Sequence, residues 1–403
     1  MRILMVHNFY QQPGGEDAVF HDEVALLRSR SHDVDTYTVH NDVIEGRSKW
    51  RVASDTVWNR DIAADLNERV RVTNRELVHF HNTFPLISPA AYGAVRRAGA
   101  ATVQTLHNYR LICPKAMLSR GDGPCHQCVG KVFAWPSVLH GCYRESRLAS
   151  TVISAMLSVH RLRNTWSRDV DRYIALSEFS RRQLVAGGLP ADKITVKPNF
   201  VTRDPGLGDG SGGYALFLGR LSPEKGIDTL MNAWEHGAPF PLKIAGDGPL
   251  AGQVTDWAAQ RRDVEYLGFT SPTDVGRLLG DAAVMVSPSR TYENFPKTLA
   301  EALASGTPVV ASRLGAMQEL VSDGVTGKHF VPDDGKDLSR QLVWLANHRS
   351  ELQAMRLAAR SEYEAKYTSD SNYDQIMRVY KLAVGASQND VQPDNQEAMA
   401  GVA

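Results

Sequence analysis

Several things are missing from this sequence, and each absence removes a class of function. There is no net charge: lysine plus arginine balances aspartate plus glutamate, 45 against 45, so no global field draws the chain to nucleic acid. There is no apolar run of membrane-spanning length, and Met1–Val6 leads straight into polar sequence where a signal-peptide core cannot fit, so the expected location is cytoplasmic. Cysteine is scarce, with four in 403 residues, all between Cys113 and Cys142, which is not a disulfide framework. Neither an aspartate-rich metal motif nor a short-period repeat occurs.

What is present is an α/β pattern in two halves. The length exceeds one ordinary core, and short apolar runs alternate with helical spacings, which implies parallel sheets with helical crossovers. In the first half the strands are read at Arg2–Val6, Asp33–Thr38, Leu77–His81, Ala101–Leu106, Arg172–Leu176 and Ile194–Lys197. In the second they are read at Tyr214–Leu218, Leu242–Ala245, Val264–Tyr266, Val284–Val286 and Val309–Ala311. The expected organisation is a first domain over 1–204 with a cysteine-rich insert at 113–142, then a glycine-rich linker at 205–213. A second domain follows over 214–365, with a C-terminal helical segment at 366–385 that packs back on the first domain. Within that segment the helix is read over Ser369–Val384, and 386–403, polar and without aromatics, is expected to lack structure.

Three segments of the second half point to one polyanionic ligand. Gly219-Arg220-Leu221-Ser222-Pro223-Glu224-Lys225-Gly226 leaves the carboxyl end of a strand, where ligands gather in parallel sheets, and its cation pair suits a diphosphate. Read alone, it is equally a solvated basic turn. Gly246-Asp247-Gly248-Pro249-Leu250-Ala251 matches a relaxed dinucleotide fingerprint, so Gly246 and Gly248 are candidates for close approach to a nucleotide. No acid ends the next strand, which excludes a nicotinamide site. The third segment runs Ser287 to Pro308, with a helix expected from about Pro296 to Ser305. Its free backbone N–H groups and dipole are expected to attract a phosphate near Phe295, Pro296, Lys297 and Thr298, with Glu293 before the helix and Glu301 on it.

The spacing Glu293-x₇-Glu301, preceded by Gly219-Arg220 and Glu224-Lys225-Gly226, resembles glycosyltransferase family 4. The stretch Gly324 to Asp333 is similar to the family as well. The resemblance covers residues 1–383. It implies retaining enzymes with two Rossmann-like domains facing across a cleft, the GT-B fold, and a nucleotide-sugar donor. By the same resemblance Arg220 and Lys225 neutralise the diphosphate, Glu293 binds the transferred sugar, Glu301 the ribose, and the turn at Leu267–Phe269 the base. Catalysis then needs no metal: the departing diphosphate is stabilised by cations and a helix N-terminus.

In the first half, Pro13-Gly14-Gly15-Glu16 follows the first strand; Gly14 and Gly15 would let the backbone approach a ligand, or form a plain strand-to-helix turn. His107 ends the strand Ala101–Leu106 and resembles the family's histidine near the transferred sugar, which assigns it to sugar positioning. His79 and His81 share a strand face, a packed pair in preference to a metal site. Cys113-x₁₁-Cys125-x₂-Cys128-x₁₃-Cys142 holds one knuckle-like pair, and three readings stand open: a structural zinc, an iron–sulfur cluster, or four reduced thiols. This insert lies where acceptor recognition is expected, and the acceptor class is a saccharide or lipid-linked saccharide. Between Arg144 and Arg182 eight arginines face four acids around the apolar run Leu148–Val159, read either as a packed helix or as a peripheral contact with anionic membrane. Two rival functions remain at this level, a nucleotide-sugar epimerase and a non-catalytic nucleotide-sugar-binding subunit.

Overall fold

A computed structural model describes residues 1–12, 14–121 and 123–391. In chain order the strands are β1 (Arg2–Phe9), β2 (Asp33–His40), β3 (Leu77–Phe80), β4 (Ala101–Leu106), β5 (Ser119–Arg120), β6 (Gly123–Pro124), β7 (Arg172–Ala175), β8 (Ile194–Val196), β9 (Ala215–Leu218), β10 (Leu242–Ala245), β11 (Val264–Gly268), β12 (Val284–Ser287), β13 (Val309–Ser312) and β14 (Gly327–Phe330). The chain falls into two compact units. The first comprises Met1–Met117, His126–Lys197 and the chain from Tyr373 on; the second comprises Leu118–Cys125 and Pro198–Asn372.

The first unit holds a six-stranded sheet in the order β2-β1-β3-β4-β7-β8, every neighbouring pair parallel. Its central strands are buried on both faces: in β1, Ile3, Leu4, Met5 and Val6 are all fully buried. The helix Gly15–Ser29 turns Val19, Phe20, Val24, Leu26 and Leu27 inward, and one acid, Glu23, goes in with them. The second unit repeats the plan with the order β11-β10-β9-β12-β13-β14, again all parallel. Its core is built on Phe217, Ile244, Val286, Val310 and Phe330, with Trp234 and Leu342 from flanking helices.

These orders fix where ligands can sit. In each sheet successive crossovers run away from the first strand on both sides, which opens a crevice at the carboxyl ends of the two strands that flank the reversal. The reversal lies between β1 and β3 in the first unit, and between β9 and β12 in the second.

Three sequence expectations change. The glycine-rich stretch 205–213 is not a free linker: Gly208 N donates to Ser305 O at 3.0 Å and Gly210 N to Gly280 O at 3.0 Å, so it lies against the second unit. A Cβ at Gly208 would come within 2.3 Å of the Gly280 Cα, so its glycine serves close packing and not slack. The last helix runs Ser369–Val391, beyond the expected Val384: it continues through Gly385, and no proline occurs before Pro393. Residues 386–391 are therefore helical and not unstructured, and the expectation for 392–403 lies outside the described residues. From Tyr373 on this helix belongs to the first unit, with Ile376, Val379, Tyr380 and Ala383 buried at helical spacing.

Candidate active site

At the reversal of the second sheet the two predicted loops meet. β9 delivers Gly219-Arg220, and a single turn Pro223–Lys225 brings Lys225 round to the loop that leaves β12. Lys225 Nζ donates to Glu293 Oε1 at 2.6 Å, and Ser289 Oγ donates to the same oxygen at 2.8 Å. The backbones lock as well, with Arg290 N donating to Glu224 O at 2.9 Å. Gly226 is required here: its φ is +72°, and a Cβ would stand 1.9 Å from Pro288 O. Arg220 is exposed on the loop that carries Lys225. The result is one anion and two cations at a strand-end crevice, the charge pattern that a diphosphate bearing a polyhydroxyl group would complement.

The helix Lys297–Ala304 starts at the same place. Pro296 is its N-cap, without an N–H of its own, and no side chain caps the first turn, so the helix presents the backbone N–H groups of Lys297 and Thr298. Phe295 is buried against Tyr367, ring centroids 5.6 Å apart, which anchors the loop end just before the helix. Glu301 is half-buried one turn into the helix. The structure thus brings Lys225, Glu293 and the helix start together.

Gly246 and Gly248 have a structural use that the fingerprint reading did not foresee. Gly246 has φ +142°, and a Cβ there would lie 1.9 Å from Gly219 O; one at Gly248 would lie 2.5 Å from Leu221 O. The close approach made by this turn is to the Arg220 loop, tied to it by Leu221 N to Asp247 O at 2.9 Å and Leu250 N to Leu221 O at 3.0 Å.

At the reversal of the first sheet the glycine loop behaves differently. The expectation included Pro13, which lies outside the described residues. Added Cβ atoms at Gly14 and Gly15 would meet nothing within 4 Å, so packing does not demand these glycines. Asp17 anchors the loop, accepting from Gly14 N at 2.8 Å and sitting 2.7 Å from His7 Nε2. The Glu16 carboxyl has its Oε1 sealed from solvent without a partner, while Asn108 Nδ2 reaches Oε2 at 3.4 Å. Burial first, then the neighbouring Asp17, pushes the Glu16 acid from its usual 4.5 up to about 7, against the opposing pull of Arg110. Arg110 itself lies over the Phe84 ring at 4.2 Å and the Tyr143 ring at 5.1 Å.

Behind this loop lies a buried polar set that sequence reasoning only half found. His79 and His81 do share a face, but their partners came from distant chain: Lys197 Nζ, fully buried, donates to Glu23 Oε1 at 2.7 Å. His81 Nε2 faces Glu23 Oε2 at 3.4 Å, and His81 Nδ1 stands 3.0 Å from His107 Nε2. His79 bridges Tyr380 OH and Thr105 Oγ1, each at 2.8 Å. Burial holds His79 and His107 well below the usual imidazole range, and the Lys197 charge keeps Glu23 ionised against its own burial. The signal for Glu23 was its place on the apolar face of an amphipathic helix, and for Lys197 its place at the carboxyl end of a strand. Glu23, His79 and His81 are also the one set of three ligand-type side chains gathered within 4.8 Å among the described residues, yet the Lys197 ammonium already neutralises that site.

In the cysteine patch Cys113 is buried and Cys125, Cys128 and Cys142 are half-buried, and among the described residues none is joined in a disulfide. Within the first unit the sulfurs of Cys113, Cys128 and Cys142 do not gather within that same 4.8 Å span.

Comparison with known proteins gives a consistent picture. Residues 13–204 match the family described as Glycosyltransferase Family 4, and residues 204–362 match Glycosyl transferases group 1. A phosphatidyl-myo-inositol mannosyltransferase of Mycolicibacterium smegmatis is 34% identical over 255 residues, which is 59% of this chain and 64% of that protein. An uncharacterized glycosyltransferase of Methanocaldococcus jannaschii is 27% identical over 213 residues, 52% of this chain and 59% of its own length. The matches thus span less than two thirds of these relatives. The Anabaena protein HepE, solved in complex with UDP, aligns with a TM-score of 0.67 at 17% identity, covering 94% of this chain and 100% of that one. At such identity the likeness is one of fold, the two-parallel-sheet architecture known as GT-B.

Proposed function

This chain belongs to glycosyltransferase family 4, and from that premise we propose that it moves a hexosyl group, with retention, from a nucleoside-diphosphate sugar to a saccharide or lipid-linked saccharide acceptor. The biosynthesis of a polysaccharide or glycoconjugate is the process this serves. The observation that carries the reading is the Lys225–Glu293 pair, 2.6 Å apart at the reversal of the second sheet, with Arg220 on the Lys225 loop and an uncapped helix start. HepE in complex with UDP-glucose, at 16% identity, supports the donor class.

As the glycosidic bond to the diphosphate breaks, negative charge grows on the leaving oxygens. Arg220, Lys225 and the N–H groups of Lys297 and Thr298 at the helix start, next to Phe295 and Pro296, are in place to meet it, so little reorganisation is needed when the charge develops. Glu293 accepts from Lys225 and Ser289 through Oε1, and its role is to take hydroxyls of the transferred sugar; Glu301 takes those of the ribose. Gly219, Gly246 and Gly248 hold the diphosphate loops together, while Gly14 and Gly15 leave room near the acceptor side. His107 positions the sugar. No metal takes part in the transfer itself.

Two accessory features belong to the proposal. The donor set Cys113, Cys125, Cys128 and Cys142 closes on one structural zinc, which draws its sulfurs together; elemental analysis of untagged protein finding no zinc refutes it. The helix Arg147–Leu162 and its arginines give peripheral contact with anionic membrane; no described helix is long and apolar enough to cross one. The enzymatic proposal is tested by mass spectrometry of products from a panel of nucleotide sugars and saccharide or lipid-linked acceptors. Acceptor-dependent gain of one hexose is expected. Conversion of the donor to an isomer without acceptor would instead make the protein an epimerase, and binding without turnover a non-catalytic subunit.

A further inference from the structure

His107 is tied to a chain of buried groups that ends at an ion pair. Lys197 Nζ meets Glu23 Oε1 at 2.7 Å; Glu23 Oε2 faces His81 Nε2 at 3.4 Å; His81 Nδ1 meets His107 Nε2 at 3.0 Å. Glu23 Oε2 and His81 Nε2 are both sealed from solvent with no hydrogen bond of normal geometry, and they face each other; His79 Nδ1 stands farther from Glu23 Oε2, at 3.8 Å, and is engaged with Tyr380 OH. Two orphaned buried polar atoms in that position are best satisfied by one proton shared along their line.

We propose that Glu23, acting through His81, fixes the tautomer of His107 so that Nε2 carries its proton and Nδ1 its lone pair. Lysine can only donate, so Lys197 keeps Glu23 a carboxylate, an acceptor on both oxygens. Glu23 Oε2 then requires the proton of His81 to sit on Nε2. A neutral imidazole has one donor and one acceptor, so His81 Nδ1 is an acceptor and His107 Nε2 must donate to it. The acceptor is left on His107 Nδ1. A second proton on His81 would reverse the last link, but Lys197 already balances Glu23, and the facing groups His79, His107, His7 and Tyr380 supply no further anion. Asp17, the next acid, is engaged with His7 at 2.7 Å.

Resting on the reading of His107 as the sugar-positioning residue, this makes it a hydrogen-bond acceptor for a sugar hydroxyl and not a proton donor to the leaving group. Glu23 and His81 are positioning residues that act through it. The arrangement carries its own inversion test. In Glu23→Gln the amide oxygen must turn to Lys197, since lysine cannot accept, which leaves the amide N–H₂ facing His81 Nε2. That nitrogen must then accept, the His81 proton moves to Nδ1, and the His107 proton moves to its own Nδ1.

Long-range proton–nitrogen correlation spectra of the full chain, labelled with ¹⁵N-histidine, read both states directly. Wild type is expected to show His107 protonated on Nε2, and Glu23→Gln on Nδ1, with kcat falling roughly tenfold or more and donor KM little changed. Wild-type protein with the His107 proton on Nδ1 overturns the proposal without recourse to any variant, and so does a folded Glu23→Gln protein with the tautomer unchanged. The spectra need no turnover: expected tautomers in a protein without transferase activity sink the sugar-transfer reading alone, and an active protein with the opposite tautomer sinks the relay alone.

Discussion

Glu293 accepts from both Lys225 and Ser289 on one oxygen, Oε1, so the carboxylate is oriented before any sugar reaches it. Glu293→Gln keeps the shape and removes the charge. It is expected to lower kcat by roughly a hundredfold or more while leaving affinity for the bare nucleoside diphosphate intact, as steady-state kinetics beside calorimetric titration will show. Unchanged kcat would remove Glu293 from the site. Glu16 makes a different residue-scale prediction. Its folded value is raised to about 7 from 4.5, so the folded state holds the proton more tightly than the unfolded chain does. A raised value contributes stability that is fully present below 4.5 and is lost as pH rises to about 7. Glu16→Gln cannot ionise, so urea denaturation should find it gaining on wild type between pH ~5 and pH ~8. A constant difference across that range would contradict the burial argument.

Among the elements, the central strands of both units were legible because parallel strands covered on both faces read as short apolar runs. Leu242–Ala245 and Ala101–Leu106 match the structure at both ends. β14 was not recognised as a strand: Gly327-Lys328-His329-Phe330 carries a lysine and a histidine, and only its place at the sheet edge explains why those are tolerated. The glycines of the Gly246 turn were legible as tight backbone but not as to what they approach, since a contact between two loops leaves no periodic trace. Gly246→Ala is therefore expected to destabilise the second unit by ~1–3 kcal/mol by thermal or urea unfolding. Gly15→Ala, with open space around it, should be neutral or gain ~0.5 kcal/mol. Equal costs at both positions would refute the assignment. The helix Arg147–Leu162 is a packed helix with exposed ends: Ile153, Met156 and Leu157 are buried, while Leu148 is 79% and Leu162 73% exposed. Arg161 is committed to Lys131 O and Gly187 O, each at 2.7 Å, and so cannot serve as a free surface cation. Liposome flotation should therefore need anionic lipid, fall with salt, and drop about fivefold in Arg147→Gln, about 1 kcal/mol for one basic group. Binding indifferent to lipid charge makes the helix core and nothing more.

For the whole molecule, two sheets of different strand order each bring their polar residues to the point where the order reverses. The second gathers cations and an acid; the first gathers Glu16, Asp17, Arg110 and the histidine chain. The cation cluster was readable in sequence because Arg220 and Lys225 follow closely on the strand that ends at Leu218, whereas Lys197 and Glu23, 174 positions apart, meet only through the fold. The central claim is that the cluster at β9 and β12 holds the diphosphate of a nucleotide sugar. Calorimetric titration of a nucleoside diphosphate into wild type, Arg220→Ala and Lys225→Met tests it most directly. The account predicts saturable one-site binding without added divalent metal, weakened at least tenfold in each folded variant. Equal affinity in all three proteins, or binding that requires the metal, would contradict it.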